Sequence, residues 1–248
     1  MTEESGFAGT DAPTAWERFW LLLRAPDHAF RGVDRGISWL YPILVVSLLI
    51  AGAPHVLHRL HIDEQREGIG RLLDDGLLTE EQAQNAWTRL DEALESPSAS
   101  KIAIQMLLAI ATQFLIRFVF PAALLLIGVR FVMEGKARFV AVLGALGWAS
   151  VPAGIRILIR TPFCALQGSL DIYFGPAALP GVDPDTVGGY ALTLLDVFDI
   201  WILALLITGI SSVGGLSRGR AAGLVLPLWL VYSLARIGMK SSPFGAAL

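Results

Sequence analysis

The sequence predicts an all-α membrane protein, a polytopic bundle of five transmembrane helices. Of its 248 residues, 54% are hydrophobic and only 17% are charged, against about 25% in an ordinary soluble domain. The mean hydropathy is +0.59, and five stretches reach the roughly 20 apolar residues that a membrane span needs. The net charge of −3 excludes a basic surface for nucleic acid, so the expected surrounding is the lipid bilayer.

Residues 1–36 are predicted to form a tail followed by an amphipathic helix. Within residues 14–31, apolar side chains recur at helical spacing with Arg18 and Arg24 among them, a pattern typical of a helix lying at the membrane surface. The expected interfacial anchors are Trp16, Phe19, Trp20, Pro26 and Phe30. The alternative is a plain helix packed on the bundle, and the direction of the two tryptophans distinguishes them. No cleavage-like site precedes the first apolar run, so we expect it to be retained.

A membrane domain is predicted over residues 37–238. Its expected spans are about 37–57, 102–133, 139–159, 196–216 and 221–237, followed by a C-terminal tail at 239–248. The second stretch is long, since 32 residues of helix measure roughly 48 Å against about 30 Å of hydrocarbon core. Pro121 can kink a helix without ending it, and a turn in lipid would leave backbone groups unsatisfied. We therefore expect one long tilted helix, with two half-helices as the alternative.

The most charged block follows the first span. Residues 58–101 hold ten of the chain's 22 acidic residues and five basic ones. Thr79, with a glutamine three residues later, is typical of a helix-initiating capping box. We expect an extramembrane helical hairpin built from helices of about 62–74 and 80–95. Its carboxylates do not have the spacing of a calcium-binding loop.

The distribution of lysine and arginine favours a cytoplasmic N-terminus. With that orientation, nine basic residues lie on or near the inner side, including Arg130 near the end of the second span, and seven lie on the outer side, in the direction of the positive-inside rule. The short turns 134–138 and 217–220 together carry four of them, whereas residues 161–195 carry none. The latter stretch, rich in glycine and proline, is expected to be a loop beginning with a short interfacial helix at 163–174.

Four charged side chains form a predicted intramembrane polar cluster: Arg117, Arg156, Asp196 and Asp199. A charge near the centre of a span costs at least about 2.5 kcal/mol, so it usually has a partner or faces water. Asp196 and Asp199 are three residues apart and share a helix face. We expect Arg117 to pair with Asp199, and Asp196 to meet Arg156 or Arg160. The alternative is a substrate or ion path lined by the same groups.

No pattern indicates catalysis, because the sequence has no Walker loop, no metalloprotease zinc pair and no nucleophile elbow. His55, His58 and His61 recur at three-residue steps, but such steps drift by about 60° each around a helix, so only neighbours share a face. We expect a polar helix end there, and not a zinc site. Cys164 is the single cysteine and excludes an internal disulfide. The sequence predicts no cofactor, no metal and no enzymatic activity.

Several loose motifs match a known family of membrane proteins. The most specific stretch, 195–222, begins with an Asp-x-Phe-x-x-Trp pattern and ends in a basic turn; its matching residues are Asp196, Phe198, Trp201, Gly209, Arg218, Arg220 and Ala221. Further matches are Pro26 and Phe30 before the first span, the LTEEQ stretch Leu78–Gln82, and Gly135, Phe139, Gly147, Trp148 and Pro152 in and before the third. In these features, over about residues 16–238, the chain resembles the bacterial branch of the Yip1-domain family.

The resemblance implies five spans, a cytoplasmic N-terminus, no cofactor and no enzymatic residues. Eukaryotic relatives are associated with Rab-type small GTPases and with vesicle traffic between endoplasmic reticulum and Golgi. The residue usage here looks bacterial, so we expect a protein of the bacterial inner membrane whose contacts are lipid, a membrane-protein partner or a second copy.

The leading hypothesis is a non-enzymatic protein that organises membrane or partner proteins. The alternatives are a small transporter or channel with a polar path near Arg117 and Asp199, and a membrane enzyme acting on lipid.

Overall fold

The computed structural model describes residues 13–94, 99–184 and 186–240, and every regular element in these ranges is helical. The helices are α1 Ala15–Arg24, α2 Pro26–Ala29, α3 Leu40–Val56, α4 His58–Asp74, α5 Glu80–Leu94, α6 Ser100–Val132, α7 Phe139–Gln167, α8 Val187–Thr193, α9 Val197–Gly214 and α10 Arg218–Lys240. Four of them, α6, α7, α9 and α10, are long and apolar enough to cross a membrane. The pair α3 and α4 makes a fifth candidate if it is counted as one bent span.

The all-α class is thus confirmed, with four or five candidate spans in the described residues. Helices α9 and α10 lie where the fourth and fifth spans are predicted. The predicted C-terminal tail, from residue 241 onward, and residues 1–12 of the N-terminal tail lie outside the described residues.

Helix α6 is continuous over 33 residues, so the prediction of one long helix is confirmed against two half-helices. Two π-helical stretches widen it, Phe114–Val119 and Gly128–Val132. Pro121 follows the first stretch and has no N–H to donate to the carbonyl of Arg117, four residues earlier. A π turn inside an α-helix accommodates such a break in the hydrogen-bond pattern without ending the helix.

Helix α7 continues to Gln167, beyond the predicted end at residue 159. The expectation of a separate short helix at 163–174 is therefore wrong, because residues 163–167 belong to α7. Gly168 ends the helix in the left-handed region, with φ +65°, and its N–H donates to the carbonyl of Cys164 at 2.9 Å. Arg156 consequently lies well inside a helix and not near the end of one.

Helices α4 and α5 form the predicted hairpin. Thr79 and Gln82 make the capping box, with the Thr79 N–H donating to Gln82 Oε1 at 2.9 Å and the Gln82 N–H donating to Thr79 Oγ1 at 3.2 Å. Gly76, with φ +69°, forms the turn between the helices. Arg66 of α4 pairs with Asp91 of α5. Local capping and one cross-helix ion pair therefore define the hairpin.

The chain bends by 63° between α3 and α4. Buried Leu57 alone separates the two helices, so α4 begins at His58 and earlier than the predicted residue 62. The bend places His55 on one helix and His58 and His61 on the other. Among the described residues, no group of three or more His, Cys, Asp or Glu side chains is placed to hold a metal ion.

The core forms where α7 and α9 pack on each other and on the segment after α1. Glycines allow the close approaches. A Cβ atom at Gly209 of α9 would lie 2.9 Å from Cε1 of Phe30, and one at Gly147 of α7 would lie 2.7 Å from Cγ1 of Ile43. Both distances are shorter than real Cβ contacts, so only glycine fits these helices at their present separation.

One end of the bundle, here called the basic end, gathers the N-terminal segment and the turns before α7 and α10. Asp34 pairs with Arg138 in the turn before α7, and Asp27 pairs with Arg218 at the start of α10. The opposite end, here called the loop end, carries residues 168–196 and the start of α9. The sequence-based assignment of these basic turns to one side, together with the N-terminal segment, agrees with these ion pairs.

Candidate functional site: a charge cluster between membrane helices

Asp196 begins α9 and caps it. Its Oδ1 accepts hydrogen bonds from the backbone N–H of Phe198 at 2.6 Å and of Asp199 at 3.0 Å. An aspartate suits this position because its carboxylate satisfies N–H groups that the first helical turn leaves free and complements the helix dipole. One oxygen of Asp196 is thereby committed to the backbone, and the other faces α7.

Arg156 of α7 forms ion pairs with both aspartates. Its Nη1 lies 3.0 Å from Oδ2 of Asp196 and 3.1 Å from Oδ2 of Asp199. The side chains are 26%, 11% and 28% exposed for Arg156, Asp196 and Asp199 respectively. The predicted contact of Asp196 with Arg156 is confirmed, and Asp199 shares the same guanidinium.

Arg117 of α6 does not make the direct ion pair predicted with Asp199. In the described part of the chain it interacts electrostatically with Asp199, Arg156 and Arg236, but its guanidinium bonds to neither aspartate. In the structure, Arg156 of α7 lies opposite the first turn of α9. Arg156 therefore takes both carboxylates, and Arg117 remains the more remote cation.

Arg160 connects α7 to the loop that follows this helix. It was the other predicted partner of Asp196, but its Nη2 and Nε donate to the backbone carbonyls of Leu170 at 2.5 Å and Ile172 at 3.2 Å. A guanidinium carries five donors in a fixed fork, so one side chain can satisfy two carbonyls of an irregular segment. Arg160 thus fastens the loop that follows α7 to the body of that helix.

Arg236 of α10 is a further cation of the cluster. Its guanidinium lies 5.7 Å from the ring centre of Tyr190 and 5.8 Å from that of Tyr232, within cation–π range. Among the described side chains that interact at this point, three arginines stand against two aspartates. The cluster therefore carries an excess of positive charge.

A family comparison covers almost the entire chain: the model of the Yip1 domain matches residues 20–237. The chain belongs to the Yip1-domain family. No curated protein and no solved structure is detectably similar to it. The charge cluster joins α6, α7, α9 and α10, which are four of the candidate spans of this Yip1 domain.

The Asp-x-Phe-x-x-Trp pattern at the start of α9 has a structural explanation. Asp196 is the cap, and Phe198 packs edge-on against Phe174 with ring centres 5.4 Å apart. The Val197 N–H donates to the carbonyl of Phe174 at 3.3 Å, and a Cβ atom at Gly175 would lie 2.3 Å from a backbone oxygen. Sequence reasoning missed this Phe174–Gly175 contact; an aromatic residue followed by glycine within a loop is the signal that could have found it.

An exposed aromatic cluster covers one side of α1. Trp16 is 67% exposed and Trp20 is 39% exposed. The rings of Trp16, Phe19 and Trp20 contact one another, with centres 5.6 to 5.9 Å apart. Phe30, predicted as a further anchor, is only 1% exposed and packs against α9, so it belongs to the core. Pro26 is the first residue of α2.

Arg18 fixes α1 to the rest of the Yip1 domain. It is completely buried, and its Nη1 donates to the backbone carbonyls of Ala29 and Arg31. Its guanidinium also lies 5.7 Å from the ring centre of Trp148 on α7. Burial lowers the pKa of Arg18 to about 10, so the group stays charged at neutral pH. Sequence reasoning noted Arg18 only as one of two arginines in this helix, because helical spacing alone does not show which face meets the bundle.

Proposed function

We propose that this Yip1-domain protein is a non-enzymatic membrane protein that organises the bilayer or partner proteins at its surface. The observation that carries the proposal is the exposed ring cluster of α1. Indole rings favour the headgroup region of a bilayer, and the buried Arg18 holds them at a fixed position on the bundle. A rigidly presented aromatic surface suits contact with a membrane or with another membrane protein.

The basic end supports an orientation for this activity. It joins the N-terminal segment to two short turns that together carry four basic residues. Short loops rich in lysine and arginine stay on the cytoplasmic side. We therefore place the N-terminus in the cytoplasm, α1 at the inner surface, and the protein in a bacterial inner membrane, with the α4–α5 hairpin as a second contact surface.

The charge cluster supports a structural role for the polar groups between the spans. Arg156 forms ion pairs with both carboxylates and so neutralises part of their combined negative charge. Two cavities, of about 330 and 340 Å³, lie at the basic end and at the loop end, and Arg117 lines neither of them. Because these charges are bonded to each other, we favour a role in stabilising the fold over a role in a path for solute.

One observation favours the alternative, a small transporter or channel. Arg117 bonds to no carboxylate in the described part of the chain, and the cluster carries excess positive charge. An arginine left over in this manner can attract a diffusing anion. The alternative therefore predicts an anion flux that depends on Arg117.

Reconstitution into liposomes tests the proposal. Vesicles of brominated phospholipid should quench the fluorescence of Trp16 and Trp20 in the wild-type protein. Trp16→Ser with Trp20→Ser should remove most of the quenching and reduce the change in vesicle size that the wild type produces. The matched control replaces Leu44 and Leu48 with serine. Both are exposed apolar residues of α3, and the control should leave the change in vesicle size intact.

A flux assay on the same vesicles decides between the two functions. Under the proposal, the wild type dissipates an imposed chloride or proton gradient no faster than empty vesicles. A flux that Arg117→Gln abolishes would support the transporter and overturn the proposal.

A further inference from the structure

We propose that the cavity at the basic end binds the phosphate-bearing headgroup of an anionic phospholipid. The cavity has a volume of about 330 Å³ and lies between the segment after α2, the turn before α7 and the last turns of α9. Its charged and polar lining consists of Arg31, Asp34, Lys136, Arg138 and Ser212. This volume suits a polar headgroup, since sites for whole small molecules begin at roughly 300 Å³.

The charge of the lining selects an anion. Among the described residues, Asp34 is the sole acid that lines the cavity, and it is paired with Arg138. Arg31 and Lys136 are left without an ion pair among the described residues, and both side chains are exposed. Two uncommitted cations beside one neutralised pair leave a net positive cavity, and phosphate is the anion that such a lining at a membrane surface encounters most.

The start of α7 adds donors to the same cavity. Arg138 occupies the cap position but makes no capping hydrogen bond with its side chain, and Ala141 in the first helical turn lines the cavity. The first backbone N–H groups of a helix are free to bind an anion, and the helix dipole favours negative charge there. A phosphate in the cavity would therefore meet both cationic side chains and backbone donors.

The surroundings of the cavity indicate a lipid as the source of the phosphate. Val140 lies between the lining residues Arg138 and Ala141 in the chain and is 38% exposed, and Phe131 and Val132, a few residues before Lys136 at the end of α6, are also exposed. These apolar side chains belong to the candidate spans and would border acyl chains. The acyl chains of a lipid whose headgroup occupies the cavity would therefore lie beside these apolar residues. Free phosphate has no chains to make these contacts.

A titration of the purified full-length protein in detergent tests the proposal. Native mass spectrometry measures the binding of dioleoylphosphatidylglycerol, with dioleoylphosphatidylcholine as the zwitterionic comparison. The variant Arg31→Gln with Lys136→Gln should bind phosphatidylglycerol about thirtyfold more weakly than the wild type, because each basic residue near an anionic surface contributes about a fivefold step. Its melting temperature without lipid should stay unchanged, since both side chains are exposed.

The matched control is Arg24→Gln with Arg35→Gln, which removes the same charge from exposed residues outside the cavity lining. This control should keep wild-type affinity. An equal loss in both double variants would show that the overall field alone attracts lipid, and it would overturn the proposal. A second variant, Ser212→Phe, fills the cavity without changing charge and should also weaken binding; undiminished binding to it would equally overturn the proposal.

Inorganic phosphate separates the two sources of the anion. At about 10 mM it should displace little phosphatidylglycerol, since it lacks chains to contact the exposed residues of α6 and α7. Phosphate that displaces the lipid fully and raises the melting temperature as far as the lipid does would identify a site for free phosphate, and the lipid assignment would be wrong.

Discussion

The Nη1 atom of Arg156 lies 3.0 Å from Oδ2 of Asp196, which joins the second half of α7 to the residue that caps α9. The other oxygen of the same carboxylate caps α9. A single side chain therefore sets both where α9 begins and which helix it packs against. The two functions can be separated experimentally, because asparagine caps helices nearly as well as aspartate but carries no charge.

Asp196→Asn should destabilise the protein less than Asp196→Ala. Asparagine keeps the cap and loses the ion pair, whereas alanine loses both, and the cap alone contributes about 1 kcal/mol. Thermal unfolding in detergent, with the melting temperature as the measure, should rank wild type, Asn and Ala in that order. Equal melting temperatures for the two variants would show that the cap contributes nothing.

Arg156→Met should destabilise the bundle far more than Arg117→Met. The first change leaves two half-buried carboxylates beside each other without their partner, which costs about 3 kcal/mol. The second removes a cation that bonds to neither of them, and we expect a loss below about 1 kcal/mol. Chemical denaturation of the reconstituted protein measures both. If Arg117→Met were the more damaging change, the assignment of Arg156 as the central residue would be wrong.

Gly209→Ala should destabilise the contact with the N-terminal segment. The added Cβ would meet Cε1 of Phe30 at 2.9 Å, and overpacking of this kind costs about 1 to 3 kcal/mol. Phe30→Leu should restore part of the loss in the double variant. Gly223→Ala on α10 is the control, because a Cβ there meets open space, and it should be neutral or mildly stabilising. Additive effects of the two changes at residues 30 and 209 would contradict the contact.

Arg18→Met should release α1 from the bundle. Methionine keeps an apolar body against Trp148 but leaves the carbonyls of Ala29 and Arg31 without their donor. We expect amide hydrogen exchange to speed up across residues 15–31 by about tenfold or more, since each unmet buried acceptor costs about 1 to 3 kcal/mol. Exchange in α9 should stay as in the wild type. Unchanged protection of α1 would show that its ring contacts alone hold it.

The capping box of α1 should make this helix sensitive to acid. Hydrogen bonds from Thr14 to the carboxylate lower the pKa of Glu17 below its usual 4.5. A depressed folded pKa adds stability that is present above pH 4.5 and is lost as the pH falls through the folded value. The protection factors of α1 against hydrogen exchange should therefore fall in the wild type as the pH drops through the lowered pKa of Glu17. Glu17→Gln should show no such fall, and a fall of equal size in that variant would point to another group.

Features that depend on neighbours in sequence could be predicted from the residues alone. The Thr79 capping box located the start of α5, and the apolar run around Pro121 indicated a single long helix. Each of these signals is read within one turn or one span, where spacing and backbone chemistry leave few alternatives.

Features that depend on contacts between distant elements could not be predicted. Helical spacing indicated an amphipathic helix at residues 14–31, but not that Arg18 is the residue that meets the bundle. The choice of Arg156 over Arg117 followed from the packing of α7 against the start of α9, which composition alone did not reveal. Phe30 matched an interfacial pattern, yet a glycine in a helix far along the chain makes room for it in the core.

The ion pair of Asp27 with Arg218 has a consequence for the order in which the protein is made. The two residues are 191 positions apart in the chain. At roughly 5 to 20 residues per second of synthesis, at least about ten seconds pass between the emergence of one and the emergence of the other. During that time the N-terminal segment can contact α7 through Arg18 and Asp34, but its partners on α9 and α10 do not yet exist. Completion of its docking is therefore among the last steps of biogenesis, and any insertion factor that completes the fold must act after the final helix has left the ribosome.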